Sequence, residues 1–381
     1  MRAENRHDLR PILSKAVVLI AVGCAGFAIG CTAQARSEQA QLTPSDQDHL
    51  DTFIQSQMEQ QRIPGLTLCV AKNGKIIFAK GYGIANLELN VPASPQTVYA
   101  LGSISKQFTA AAILLLVEDG TIDLDASITK YVSDLPPEWQ PVTIRHLLTH
   151  TSGIKDEEWK GGRPEFSRQE WRQEEVIKTA FGPLDSSPGE KWAYNNAGYR
   201  LLGMVIEKVG GKSYWDFLQT RIFGPFQMDS TRNSDPQAII RNRAQGYVWS
   251  KDVYLARAPV TPSAAFSEGA IVSSVLDMGK WDAALYSGSI LKVPSFDKRT
   301  ARAAKIPGYN CYYGFGWFLY DAYGHKVMEH TGAILGFGAY IGRYLDDGFT
   351  IIILANSEDA DCTAIAKKMA GLYIPALARR N

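Results

Sequence analysis

The sequence predicts an α+β fold: an antiparallel sheet built from both chain ends, flanked by helices, plus a mainly helical lobe. Three observations carry this expectation. Near the N-terminus the β-rich runs "GLTLCVAK" and "KIIFAKGYG" flank Asn73-Gly74, a hairpin signal because both central residues need positive φ. Near the C-terminus "KVMEHTG", "FGAYIGRYL" and "FTIIILANS" follow one another across turns that include Asp346-Asp347-Gly348. Between them, from about Ser103 to Leu285, the chain reads mainly as helices and long loops.

The elements follow in chain order. The chain opens on "MRAENRHDLRPILSK", with Arg2, Arg6, Arg10 and Lys15, and continues into the apolar run Ala16–Gly30. That run is short of the roughly 20 residues a membrane span needs. A basic region, a short apolar region and the small-residue site Ala33-Gln34-Ala35 have the form of an export signal over residues 1–35. Cys31, directly after Gly30, gives a second reading: a lipoprotein signal over 1–30, with a lipid on Cys31 as the membrane attachment. Either way the expected location is the bacterial periplasm or the outside of the cell. Residues 36–44 are a polar lead-in, and residues 45–375 are expected to form the folded domain. Its sheet lobe would take about 45–98 and 305–375, and its helical lobe about 99–300.

Within that domain "LDTFIQSQMEQQ" places Leu50, Phe53, Ile54 and Met58 on one helical face. "NAGYRLLGMVIEKVGG" is an amphipathic helix stopped by Gly210-Gly211, and "SSVLDMGKWDAAL" starts with the capping pair Ser274 and Asp277. A last helical run, "CTAIAKKMAGLYIPALARR", closes the chain.

Composition bounds the partners. Hydrophobic content of 45%, charged content of 21% and a net charge of +1 describe a soluble globular chain with no nucleic-acid partner. Of five cysteines, Cys24 and Cys31 lie in the leader. Cys69, Cys311 and Cys362 allow at most one bridge, and Cys69, in a strand-like run, is expected to be buried as a small hydrophobe.

Five serines have a lysine three residues on: Ser103/Lys106, Ser127/Lys130, Ser152/Lys155, Ser289/Lys292 and Ser295/Lys298. Serine is a poor nucleophile until a base takes its proton. Lysine serves as that base only if it is driven neutral near pH 7, about three units from ~10.4 or roughly 4 kcal/mol, which burial or nearby positive charge must supply. Lys298 is surrounded by Asp297, Arg299 and Arg302; Ser152 runs through Gly153 into "KDEEWK"; Ser127 has no apolar continuation; and Ser289/Lys292 runs into Val293-Pro294. Only Ser103 opens a long apolar helix, "FTAAAILLLV", and a helix apolar all round is buried. The start of that helix adds free N–H groups suited to an oxyanion.

Two further motifs join it. "YNN" (Tyr194, Asn195, Asn196) is the one place with an asparagine two residues after a tyrosine, and "HTG" (His330, Thr331, Gly332) occurs once, on a predicted strand. With "LGSISKQFTAAAILLLVEDG", "TIRHLLTHTSGI", "SPGEKWAYNNAGYRLLG" and "EHTGAILGFGA", the chain from about Gln41 to Tyr373 resembles the serine β-lactamase and penicillin-recognising hydrolase family. The likeness is to the branch of class C β-lactamases, D-Ala-D-Ala carboxypeptidases and related esterases.

The resemblance implies a β-lactamase-like fold and an acyl-enzyme on Ser103, with Lys106 and Tyr194 sharing the proton work. It implies that Asn196 holds the substrate amide or orients Lys106, that Gly332 lets substrate lie along the strand, and that the N–H groups of Ser103 and Ala333 form the oxyanion hole. Thr331 and His330 belong to the same strand motif, His330 facing substrate. No metal, other cofactor or protein partner is implied; the substrate is a small molecule or short peptide.

Other readings are weaker. His146 and His150 stand four apart like a helical metal pair, but no glutamate lies between them, and both are expected to shape the helical lobe. "GxSxG" is absent. A weakly active binding or scaffold protein on the same fold is opposed by the intact Ser103, Lys106 and Tyr194. Many lactamases and peptidases of the family carry lysine where this chain has His330, and histidine, with pKa near ~6.5, is mostly neutral at pH 7. That departure favours an ester or a D-amino-acid peptide or amide as substrate over a β-lactam, with a β-lactamase or D-Ala-D-Ala carboxypeptidase proper as the alternative. Two stretches, "KDEEWKGGRPEFSRQEWRQEE" and "GYVWSKDVYLARAPV", are read as loops shaping the pocket.

Overall fold

The computed structural model describes residues 44–156, 168–291 and 304–380. The export signal, Cys24, Cys31 and most of the polar lead-in lie outside these residues, as do Lys292, Ser295, Lys298 and residues 157–167 of the first pocket stretch.

The strands in chain order are β1 Gly65–Lys72, β2 Lys75–Asn86, β3 Val91–Pro92, β4 Tyr99–Ala100, β5 Arg232–Asn233, β6 Gly246–Ser250 and β7 Val253–Arg257. They continue with β8 Ile271–Ser273, β9 Ala304–Lys305, β10 Cys311–Tyr313, β11 Phe318–Ala322, β12 His325–Ile334, β13 Phe337–Tyr344 and β14 Phe349–Ala355. The α-helices are α1 Pro44–Gln61, α2 Ser105–Glu118, α3 Ile144–Leu148, α4 Gln173–Ile177, α5 Asn196–Gly210, α6 Tyr214–Leu218, α7 Pro262–Gly269, α8 Val275–Ser287 and α9 Cys362–Tyr373.

The main sheet has nine strands in the order β3-β2-β1-β14-β13-β12-β11-β10-β9, so the two chain ends meet where β1 pairs antiparallel with β14. The meeting strands are apolar on both faces, as strands covered on both sides must be. Leu66, Leu68 and Val70 of β1, with Ile351 and Ile353 of β14, pack with Leu50, Ile54 and Met58 of α1 and Ile365 and Met369 of α9. On the other face Cys69, Ile352 and Leu354 join the larger cluster with α2 and α8. Each such side chain, fully buried, contributes about 1.5–3 kcal/mol. Cys69, Cys311 and Cys362 are free buried thiols.

Helix α2 is the centre of the second cluster. Its residues Ser105 to Leu116 are all buried, and Phe108 lies against Trp281 of α8 with ring centroids 4.4 Å apart. Ser274 caps α8, accepting the Asp277 N–H at 3.2 Å, and Gly211 ends α5 in the left-handed conformation.

The middle of the chain holds more strand than its sequence suggests. β4, β8 and β5 form a three-stranded sheet, and "GYVWSKDVYLARAPV" contains the antiparallel hairpin β6–β7 rather than a loop. Two- and three-residue strands are too short to display an alternating pattern.

Candidate active site

The pair Ser103/Lys106 sits where α2 begins, but Ser103 is not in the helix. It lies in a 3₁₀ turn, Gly102–Ile104, and α2 starts at Ser105. The reason is close backbone packing between this turn and β12. A Cβ on Gly102, at φ +52°, would stand 2.8 Å from the Ala333 nitrogen; one on Gly332 would stand 1.9 Å from the Leu101 carbonyl oxygen. Gly332 therefore admits the turn that carries Ser103, a close approach beyond the place for substrate that the resemblance implies.

Lys106 is fully buried and Ser103 half-buried. Lys106 Nζ donates to Ser103 Oγ at 3.1 Å, to Asn196 Oδ1 at 2.9 Å and to the Glu268 carbonyl oxygen at 2.9 Å. Two of these partners are pure acceptors. They fix two N–H directions and leave the third tetrahedral position of Nζ aimed at Ser103, the one partner with a proton of its own to give. With its lone pair in that third position Nζ can take the Ser103 proton with little movement of either side chain; as an ammonium it donates to Ser103 instead. The Glu268 carboxylate lies 3.5 Å from Nζ and 3.9 Å from the Arg200 guanidinium.

Asn196 opens α5, while the cap is made by Asn195, whose side chain accepts the Gly198 N–H at 2.6 Å. Asn196 is free to hold Lys106. Its own N–H donates to Asp156 Oδ1 at 2.7 Å, and its amide nitrogen faces Asp156 Oδ2 at 3.5 Å.

Tyr194 stands on irregular chain just before α5. Lys106 Nζ lies 4.9 Å from its ring centroid. The Tyr194 hydroxyl is buried and makes no well-formed hydrogen bond. Burial raises its pKa, and Lys106 and Ser103 pull it part of the way back. It rests as a phenol with a proton to give.

His330 does not present a free face to substrate. It is 1% exposed, its Nδ1 is 2.6 Å from the Thr331 carbonyl oxygen and its Nε2 is 3.0 Å from the Tyr313 hydroxyl. A carbonyl can only accept, so Nδ1 carries the proton and Tyr313 donates to Nε2. Phe318 packs beside the ring at 5.2 Å. Burial above all, with Lys106 adding to it, pushes the His330 pKa down to about 3. Thr331 is half-buried and Ala333 exposed.

This sets a sign for pH dependence. Between the folded value of about 3 and an unfolded value near ~6.5, the unfolded chain binds one more proton at this position. His330 therefore costs nothing at neutral pH and destabilises the fold progressively as pH falls from ~6.5 toward about 3, by up to ~1.4 kcal/mol per pH unit. Urea unfolding at several pH values from 6.5 to 4 should show a shallower slope in His330→Gln than in wild type, by about one proton. Equal slopes would mean the ring already titrates normally in the folded protein.

Of the remaining pairs, the two that lie wholly among the described residues lack such surroundings: Lys130 and Lys155 are exposed, and Ser127 caps a 3₁₀ turn. His146 Nδ1 accepts the Thr143 N–H at 3.2 Å, closing a capping box on α3. Sequence reasoning passed over Glu268, Asp156 and Tyr313. Glu268 left a trace, as one acid inside the apolar stretch "PSAAFSEGAIV".

Comparison with known proteins places this geometry among relatives. Residues 50–371 match the family model described as Beta-lactamase. The chain is 30% identical over 328 residues to penicillin-binding protein 4* of Bacillus subtilis (strain 168), covering 82% of this chain and 72% of that protein. Its structure is similar to that of an octameric penicillin-binding protein homologue from Pyrococcus abyssi, with a TM-score of 0.78 and 31% identity over 87% of this chain and 78% of the other. It is likewise similar to a D-amino acid amidase from Ochrobactrum anthropi SV3 complexed with L-phenylalanine. There the TM-score is 0.76 and the identity 26%, over 87% of this chain and 98% of that one.

Proposed function

The chain belongs to the β-lactamase family and is a serine hydrolase, and on that premise we propose that it cleaves amides or esters of D-amino acids through an acyl-enzyme on Ser103. The observation that carries the chemistry is the buried Lys106 Nζ, held by two pure acceptors and aimed at the half-buried Ser103 Oγ at 3.1 Å.

In this reading Ser103 Oγ attacks the substrate carbonyl as its proton passes to Lys106 Nζ. The oxyanion is met by the N–H groups of Ser103 and Ala333, whose segments touch through Gly102. Tyr194 gives its proton to the departing amine or alcohol and is reprotonated from Lys106. Water then enters where the leaving group stood, gives a proton back along the same route and releases the acid, restoring Ser103.

Charge at the site supports the substrate class. A neutral His330 offers no cation for the carboxylate of a β-lactam or a peptide C-terminus. An acid, Asp156, accepts the Asn196 and Ala197 N–H groups at 2.7 and 3.1 Å and so places negative charge one side chain away from Lys106, which favours a substrate carrying an amine. The similarity to a D-amino acid amidase points the same way. The basic and apolar N-terminal pattern supports an exported enzyme, released after Ala35 or held by a lipid on Cys31.

Turnover of D-phenylalanine amide, p-nitrophenyl acetate, a D-Ala-D-Ala peptide and nitrocefin under one set of conditions tests the proposal. The amide and the ester should show kcat/KM at least about tenfold above the two carboxylate-bearing substrates, the ~1.4 kcal/mol that one missing charge contact is worth. Nitrocefin turned over fastest would reverse the assignment.

A further inference from the structure

His150, in "HLLTHTSG", packs against the segment that carries Tyr194. Its backbone is left-handed, at φ +57°, a conformation that histidine adopts more readily than most residues. In that conformation its carbonyl accepts the Ala193 N–H at 2.9 Å and its Nδ1 accepts the Asn195 N–H at 3.1 Å. The two residues flanking Tyr194 are therefore held by one residue. The His150 ring also covers the Tyr194 ring, with centroids 4.3 Å apart and planes 38° apart. Tyr313 and Tyr199 close in behind it at 4.5 and 5.1 Å.

Two facts make this grip consequential. Tyr194 lies outside any helix or strand, and its hydroxyl makes no well-formed hydrogen bond. Ser103 and Lys106 act on the hydroxyl without a well-formed hydrogen bond, so the position of the side chain depends largely on the backbone on either side and on the face of the ring. His150 supplies both. The grip also needs an unprotonated Nδ1, and burial, followed by Lys106 and His330, holds this imidazole neutral by pushing its pKa well below 6.5.

We propose that His150 is a positioning residue that sets the Tyr194 hydroxyl against Ser103 and Lys106. The inference rests on the reading of Tyr194 as the proton donor to the leaving group. Misplacement of a reacting group by about 1 Å costs on the order of 10²-fold in rate. His150→Asn tolerates the left-handed backbone but loses the ring. It should lower kcat by about 30- to 100-fold, with KM changed less than about threefold.

A double-mutant cycle with Tyr194→Phe decides the matter, measured on the full chain with p-nitrophenyl acetate, including the acylation burst. If His150 works through Tyr194, adding His150→Asn to Tyr194→Phe costs less than about twofold. Losses that multiply in the double variant would overturn the proposal while leaving Tyr194 its role. A fully active Tyr194→Phe would instead remove the role of Tyr194 and the proposal with it. Should His150→Asn not fold, His150→Phe, which keeps a ring and gives up the acceptor, enters the same cycle with the same expectation.

Discussion

Ser103→Ala should lose ester and amide turnover by about 10⁴-fold or more, and all labelling by a fluorophosphonate probe, while melting close to wild type. The size follows from what the hydroxyl does. Without it no acyl-enzyme forms, and what remains is the attack of a bound water on a carbonyl polarised by backbone N–H groups. Little structure is lost with it. Ser103 is half-buried in a 3₁₀ turn whose shape comes from Gly102 and Gly332 packing backbone to backbone with their neighbours, and alanine fits that turn. The well-formed hydrogen bond removed is the one from Lys106 at 3.1 Å, worth about 1 kcal/mol. Circular dichroism and a melting curve beside the rate measurement separate the two effects. Persistent labelling of Ser103→Ala would place the nucleophile elsewhere in the chain.

Much of this arrangement could be read from the chain alone, and what escaped did so for physical reasons. β14 is apolar at consecutive positions because helices cover both faces of the sheet, and such a run stands out in any sequence. So does α2, whose buried length singled out Ser103 from four look-alikes. The exact entry into α2 was not legible, because Gly102 takes its conformation from β12, more than two hundred residues away. Glu268 reaches Lys106 across a separation of 162 residues, and no local pattern announces such a meeting. His330 was legible as a residue and misread as a surface. A strand histidine next to a glycine suggests a half-open position, and only the fold shows Tyr313 and the Thr331 carbonyl occupying both ring nitrogens.

Lys106→Met carries the second large effect, and it differs from Ser103→Ala in kind because it should damage both rate and stability. Turnover should fall by about 10³-fold or more, since Ser103 loses its base and Tyr194 the group that returns its proton. Stability should fall as well. Methionine fills the space but takes the Lys106 charge away from the Glu268 carboxylate, and removes the Lys106 donor from Asn196 Oδ1 and the Glu268 carbonyl. Breaking a buried ion pair from one side costs about 3–5 kcal/mol. Arg200, 3.9 Å from the other carboxylate oxygen, keeps part of the charge balanced, so the lower end of that range is expected. Adding Glu268→Gln to Lys106→Met removes the stranded charge and should return most of the lost stability, measured by urea unfolding at pH 7, without returning activity. That split follows from Glu268 serving as counter-ion and Lys106 as base. A Lys106→Met enzyme that keeps wild-type rates would show that Ser103 is activated by something other than the lysine three residues on.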